Sequence, residues 1–229
     1  MKIGIVTEYY YPTLGGIQEH VHHFAQAARQ LGHDVRIVTP VVMDTLASLA
    51  APAAGTATAR DDRDHGVIRL GRSIPVFSGG SVARVSSGPG LSAQVSELLR
   101  REQFDVVHLH SPLMPTLPLL FLRQSSALTV GTFHSVVGRS LLYAALRASL
   151  QRYADRLDAA IGVSETALVD LKRTFRAPWH VIPNGVDVAA FAAGRRRPEL
   201  DDGRLNVLHV GRFDPRNGVH RVIRAWVRV

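Results

Sequence analysis

Two adjacent glycines and a set of histidines are the residues of this 229-residue chain whose types and spacing could do chemistry. Gly15-Gly16 closes the stretch Tyr9-Tyr10-Tyr11-Pro12-Thr13-Leu14, between a β-branched run (2–7) and an apolar-periodic segment opening at Ile17. Glycines at a strand-to-helix turn let the backbone approach a ligand, and the next helix offers free N–H groups and a partial positive charge. That combination suits a phosphate; a tight turn that needs only positive φ is the alternative. The order Gly15-Gly16-Ile17-Gln18-Glu19-His20 lacks the G-x-G-x-x-G spacing of nicotinamide enzymes, which argues against an oxidoreductase.

The histidines fall into two groups and one single residue. His20, His22 and His23 share a helix, where only His20 and His23 lie on one face; His108 and His110 point the same way along a strand. No carboxylate is placed to complete either set, so no metal is expected. His134 stands alone at the end of a strand, where α/β sheets bind ligands.

The elements that must position these residues alternate. Ile17, Val21, Phe24, Ala25, Ala28 and Leu31 form one face of a helix, Gly32 follows where a left-handed C-cap belongs, and 35–39 reads as a second strand. Further on, 41–64 reads as an excursion rich in Ala, Thr and Asp, 67–70 and 74–77 as short strands, and 78–90 as a loop. Leu91, Val95, Leu98 and Leu99 face a helix ending at Arg100-Arg101. Strands at 104–109, 128–133, 159–163 and 179–182 alternate with helices over 114–122, 141–150 and after Ser164, a fitting N-cap. This pattern predicts a doubly wound parallel sheet with a Rossmann-like right-handed crossover, its ligands beyond the carboxyl ends of the strands. Those ends carry 9–16, 108–111, His134-Ser135 and Ser164-Glu165.

Past Pro183-Asn184-Gly185-Val186-Asp187, with Asp187 set to cap a short helix, residues 194–204 read as a charged linker. A new strand at 205–210 and a helix from Asn217 then open a second domain at 205–229. One strand and one helix cannot bury a core, so the expectation is a first domain at 1–193 and a truncated second one.

Composition narrows the classes. A 46% hydrophobic, 20% charged chain has the balance of a globular protein with an ample core. There is no cysteine, hence no disulfide framework or thiolate metal site. No apolar run approaches the roughly 18–20 residues needed to cross a bilayer, and Met1 leads straight into a strand; a cytoplasmic chain is expected. The net charge of +8 is carried almost wholly by arginine, scattered except at 195–197, without a recognition-helix or aromatic-interleaved pattern. No nucleic-acid partner is expected.

Taken together, the Gly15-Gly16 turn with Gln18 and His20, Gly32-His33, Asp105 to His110, Thr132-Phe133-His134, Val163-Ser164, 183–187 and Val210-Gly211-Arg212-Phe213-Asp214 resemble nucleotide-sugar glycosyltransferases of the GT-B fold, in retaining family 4. Through 80–84, 131–135 and 182–187 the chain is similar to the phosphatidylinositol mannosyltransferase branch. The resemblance implies two Rossmann-like domains, of which this chain supplies the acceptor-side one. It implies transfer of a hexose, mannose or glucose, from a nucleotide diphosphate sugar to an alcohol acceptor, with retention and with no cofactor or metal required. Gly15 and Gly16 would meet the donor diphosphate, His134 the transferred sugar, and Arg212 and Arg216 the departing phosphate. Fixed donors and cations at that oxygen lower the barrier as charge builds there. Tyr9, Thr13, Gln18, His110 and Ser135 would line the acceptor side.

Where the family has a lysine five residues after the arginine, this chain has Asn217. A lipid-linked acceptor would bring peripheral contact with the inner face of the membrane, with Arg139, Arg147, Arg152 and Arg156 as candidates; a solvated helix face is the other reading of those arginines. The rival to the enzyme is a non-catalytic remnant that binds an acceptor or a partner protein.

Overall fold

The computed structural model describes residues 1–42, 66–78, 81–134, 141–195, 197–201, 203–211 and 217–226. The predicted excursion at 41–64 therefore lies almost entirely outside the described residues, as do Ser135, Arg139, Arg212 and Arg216. The chain divides into two compact units, one of residues 1–77 and 82–184, the other of residues 78–81 and 185–229.

In the larger unit, strands β1 (Lys2–Val6), β2 (Asp34–Val42), β3 (Val67–Ser78), β4 (Ser81–Ser87), β5 (Val106–His110), β6 (Leu128–Phe133), β7 (Ala159–Gly162) and β8 (Trp179–Val181) form one sheet. Their order is β4-β3-β2-β1-β5-β6-β7-β8, and from β3 through β8 every neighbouring pair is parallel. Helices α1 (Gly16–Gln30), α2 (Leu91–Glu102), α3 (Leu117–Gln124), α4 (Leu141–Ala154) and α5 (Glu165–Thr174) connect the strands. The sheet grows from β1 in both directions, so the strand order reverses between β1 and β5; open α/β sheets leave a crevice at such a point.

Side chains alternate across the pleat, and consecutive residues of β1 enter different layers. Ile3 and Ile5 pack with Val21, Ala25 and Ala28 of α1, whereas Val6 joins Leu109, Leu117 and Phe121 on the opposite face. Helix α1 ends as its sequence predicts. Gly32 has φ of 84°, and its amide and that of His33 bond back to Arg29 and Ala28. Ser164 Oγ accepts from the Ala167 amide at 3.1 Å to start α5. Leu31, read as part of the α1 core face, is exposed, while Gln18 is buried in its stead. Leu31 is the C-cap, one residue past the end of α1, so it no longer lies on the helix face that Val21, Ala25 and Ala28 bury.

Two strand readings need correction. The runs at 67–70 and 74–77 are one twelve-residue strand, because Gly71 takes φ of 67° and pairing with β2 resumes after a register shift. Residues 81–87, read as loop, are strand β4, since pairing in a sheet outweighs the weak strand preference of serine.

The smaller unit contains α6 (Val188–Ala192), a 3₁₀ turn (Pro198–Leu200) and α7 (Val219–Trp226). Asp187 Oδ1 caps α6 through the Ala190 amide at 2.9 Å. The strand expected at 205–210 is not formed, and Leu205 and Leu208 are exposed. A strand exists by pairing, and the described residues of this unit offer no neighbour. Among the described residues no helix is long and apolar enough to cross a membrane.

Candidate active site

The turn between β1 and α1 is braced from every side. Thr13 Oγ1 donates to the Tyr10 carbonyl at 2.8 Å and accepts from Gln18 Nε2 at 3.0 Å. The Tyr11 hydroxyl donates to Glu19 at 2.6 Å, and Arg69 Nη2 donates to the Tyr11 carbonyl at 2.7 Å. From β4, the Arg84 amide donates to the Tyr9 hydroxyl at 3.2 Å. A loop held by this many bonds keeps its geometry before any ligand arrives.

Positive φ is not why this turn carries glycine. Gly15 is extended, with φ of 167°, and Gly16 is not among the positive-φ glycines. A Cβ on Gly15 would meet Gln18 Oε1 at 2.8 Å, whereas one on Gly16 would meet nothing within 4 Å. Space lies open over Gly16 at the first residue of α1, where no side chain caps the helix. The first amides of a helix have no intrahelical acceptor, so this end remains free to bind an anion.

Gly16 and His20 are four residues apart and stack on one face of α1. Against His20 stand two more imidazoles delivered by the sheet, His110 as the last residue of β5 and His134 immediately after β6. The His20 ring lies edge-on to both, with centroids 5.6 Å from His110 and 5.3 Å from His134. His110 and His134 are nearly parallel, and His110 Nδ1 lies 2.7 Å from His134 Nε2, one proton between them. Behind them His108 Nε2 bonds Thr132 Oγ1 at 2.7 Å.

This group is uncharged at neutral pH. Burial pushes His134 down to about 4, helped by repulsion from His20, and pushes His108 to about 4 as well. Burial also holds His110 well below the usual histidine value and lowers His20. Neutral imidazoles offer one donor and one acceptor each and cannot serve as cations here. Positive potential at this edge must come from the α1 terminus or from arginine.

Each sequence-predicted residue can now be located. Gly15, Gly16, Tyr9, Thr13 and Gln18 all belong to the β1–α1 turn, where Thr13 and Gln18 brace each other. His110 is fully buried behind His134. Ser135, Arg212 and Arg216 lie outside the described residues.

Two features escaped the sequence reading. The grouping of His20 with His110 and His134 was invisible because its members lie on three elements; placing the first turn of α1 beside the ends of β5 and β6 would have found it. The second is Glu8, buried at the end of β1. Burial raises its pKa against the pull of bonds from Ser86 and the Leu117 amide. An acid directly after a buried strand was the available signal.

Comparison with known proteins matches this architecture. The sequence pattern of Glycosyltransferase Family 4 fits residues 14–190. A phosphatidyl-myo-inositol mannosyltransferase of Mycolicibacterium smegmatis is 34% identical over 98% of this chain and 54% of its own length; one of Mycobacterium tuberculosis is 33% identical over 100% and 57%. The chain thus spans about half the length of the curated relatives it matches. Among solved structures, a glycosyltransferase of Rickettsia africae superposes with a TM-score of 0.54 at 19% identity, over 86% of this chain and 46% of that one. The Anabaena protein HepE, solved with UDP, gives 0.55 at 15% identity, over 83% and 46%. At such identities the structures speak for the shared fold alone. Given a family pattern spanning 14–190 on a doubly wound sheet, the chain belongs to Glycosyltransferase Family 4.

Proposed function

We propose that this chain is the acceptor-side half of a retaining hexosyltransferase that moves a sugar from a nucleotide diphosphate sugar to an alcohol acceptor. The observation that carries the reading is an uncapped helix end, open over Gly16, one turn before His20, whose ring lies 5.3 Å from that of His134 beside the strand-order reversal. In the reaction the bond between the anomeric carbon and the diphosphate oxygen breaks. A bond to the acceptor oxygen forms on the same face, and the acceptor's proton passes to the departing phosphate. Gly15 and Gly16 present the start of α1 to the diphosphate, and Arg212 and Arg216 neutralise its growing charge; no metal is invoked. His134 hydrogen-bonds the sugar being transferred, and His110 holds it in place through the 2.7 Å contact. The names of the relatives favour mannose as the sugar and phosphatidyl-myo-inositol as the acceptor. Tyr9, Thr13, Gln18 and Ser135 border the acceptor, and peripheral contact with a membrane surface follows from a lipid acceptor.

In the full-length protein, His134→Ala should lower the turnover of mannosyl transfer by about 100-fold or more, the scale of losing one positioned hydrogen-bonding group in a transition state. Circular dichroism and melting of the variant should stay close to the parent. Unchanged turnover in the folded variant would remove His134 from the chemistry.

A further inference from the structure

We propose that His20, His110 and His134 together form a binding site for a divalent transition cation of the zinc class, and that an ion bound there withdraws His134 from sugar transfer. The binding half stands on geometry alone; the inhibitory half rests on the proposed role of His134.

One ligand nitrogen from each residue can be chosen so that all three lie within 4.8 Å of one another. Zinc–imidazole bonds of about 2.0–2.1 Å in a tetrahedral shell require nitrogens about 3.3 Å apart, so the rings need to close by an ångström or so. The mobile partner for that closure is His20, which is only partly buried and makes no hydrogen bond among the described residues. His110 is the anchor. Its Nε2 is buried and has no hydrogen-bond partner among the described residues, an expensive state for a polar atom that ligation through Nε2 would end. Two neutral imidazoles hold two lone pairs, and the His110–His134 hydrogen bond takes one of them, so both rings ligate only when that bond opens.

The donor set also selects the ion. Three nitrogens and no carboxylate suit zinc, cobalt, nickel or copper, and offer little to magnesium or calcium, which want oxygen. Three protein ligands leave a fourth position for water. The neighbouring histidines are otherwise engaged: His22 bonds the Tyr10 hydroxyl, His23 pairs with Glu19, and His108 bonds Thr132.

The test uses full-length protein without a histidine tag, stripped of metal and titrated with Co²⁺ alone. One equivalent should bind with the intense visible absorption of low-coordinate cobalt. Zn²⁺ should displace it, and a thousandfold excess of Mg²⁺ should not. Removing a ligand costs more than the 10–100-fold typical of losing an outer partner. His20→Ala, at a partly exposed helix position that should fold, is therefore expected to weaken binding by at least about 100-fold. His23→Ala on the same helix should leave binding unchanged. Absence of the cobalt spectrum, its survival in His20→Ala, or its loss in His23→Ala would each overturn the site. Because this readout involves no sugar, it remains valid if His134→Ala transfers normally. Conversely, cobalt binding without inhibition of transfer by Zn²⁺ would overturn the inhibitory half alone.

Discussion

The two edges of the central sheet handle polarity in opposite ways. At the amino edge each charge meets a partner in or near water. The Lys2 amide donates to Asp105 at 2.6 Å, the Lys2 ammonium pairs with Glu102 at 2.9 Å, and Asp158 accepts from the Thr129 amide and hydroxyl at 2.7 and 3.1 Å. At the carboxyl edge burial drives Glu8, His108 and His110 toward their neutral forms, and His110 Nε2 has no hydrogen-bond partner among the described residues. Two grooves of about 490 and 480 Å³ lie at the amino edge, lined by residues such as Gln103, Phe104, Ser125 and Asp158. Groove size and chemistry therefore disagree about where the function is. Chemistry is the better guide, because paired surface charges are ordinary features of a fold, whereas clustered buried titratable groups with strongly shifted pKa values gather at functional sites.

The largest effect expected from that contrast is at Glu8. Glu8→Ala strands the Ser86 hydroxyl and the Leu117 amide in the interior, and should cost about 3 kcal/mol of unfolding free energy in urea titrations at pH 7. Lys2→Met at the other edge breaks an ion pair near water and should cost well under 1 kcal/mol. Equal losses would abolish the distinction between the edges.

Acid should expose the same asymmetry. His108 is depressed from 6.5 to about 4 in the fold, so its contribution is full above pH 6.5 and is lost as pH falls through that range. By pH 5 this amounts to about 2 kcal/mol. Glu8, whose folded pKa is raised, acts oppositely: its contribution is present below 4.5 and fades as pH rises through its folded value. The protein should therefore lose stability between pH 7 and 5 with Glu8 partly offsetting the loss. Glu8→Gln should steepen that decline. A melting temperature flat from pH 7 to 5 in both proteins would mean that the imidazoles are not held neutral by burial.

What the sequence made legible follows from which interactions are local. The alternation of strands and helices, the caps at Ser164 and Asp187 and the left-handed Gly32 all rest on contacts within four residues, and all formed. Strand β4 was missed because serines and glycines give no local signal, and pairing with β3 made the strand. The strand expected at 205–210 had the local signal and no neighbour among the described residues of its unit. At the candidate site, Gly16 and His134 were singled out by their positions at strand ends. His20 was weighed beside His23, its neighbour on the helix, although its true companions are 90 and 114 residues away. Sequence spacing reports faces of single elements; the crevice is made by three.

Glycine substitutions give a sharper division at the smaller end of the scale. Gly131→Ala in β6 would push a methyl to within 2.9 Å of the Pro112 ring and 3.0 Å of Leu157, and overpacking should cost about 1.5 kcal/mol. Gly16→Ala meets no protein atom within 4 Å and sits at a helix start that tolerates alanine, so stability should change by less than about 0.5 kcal/mol. If the open space over Gly16 is where a diphosphate lies, the added methyl collides with the donor and not with the protein. Donor affinity of the full-length variant, measured by calorimetry with whichever nucleotide diphosphate sugar the parent binds, should then fall about tenfold, a loss near 1.4 kcal/mol. The dissociation constant of the acceptor alone should be unaffected. Unaltered donor affinity would mean that the helix end faces something other than phosphate.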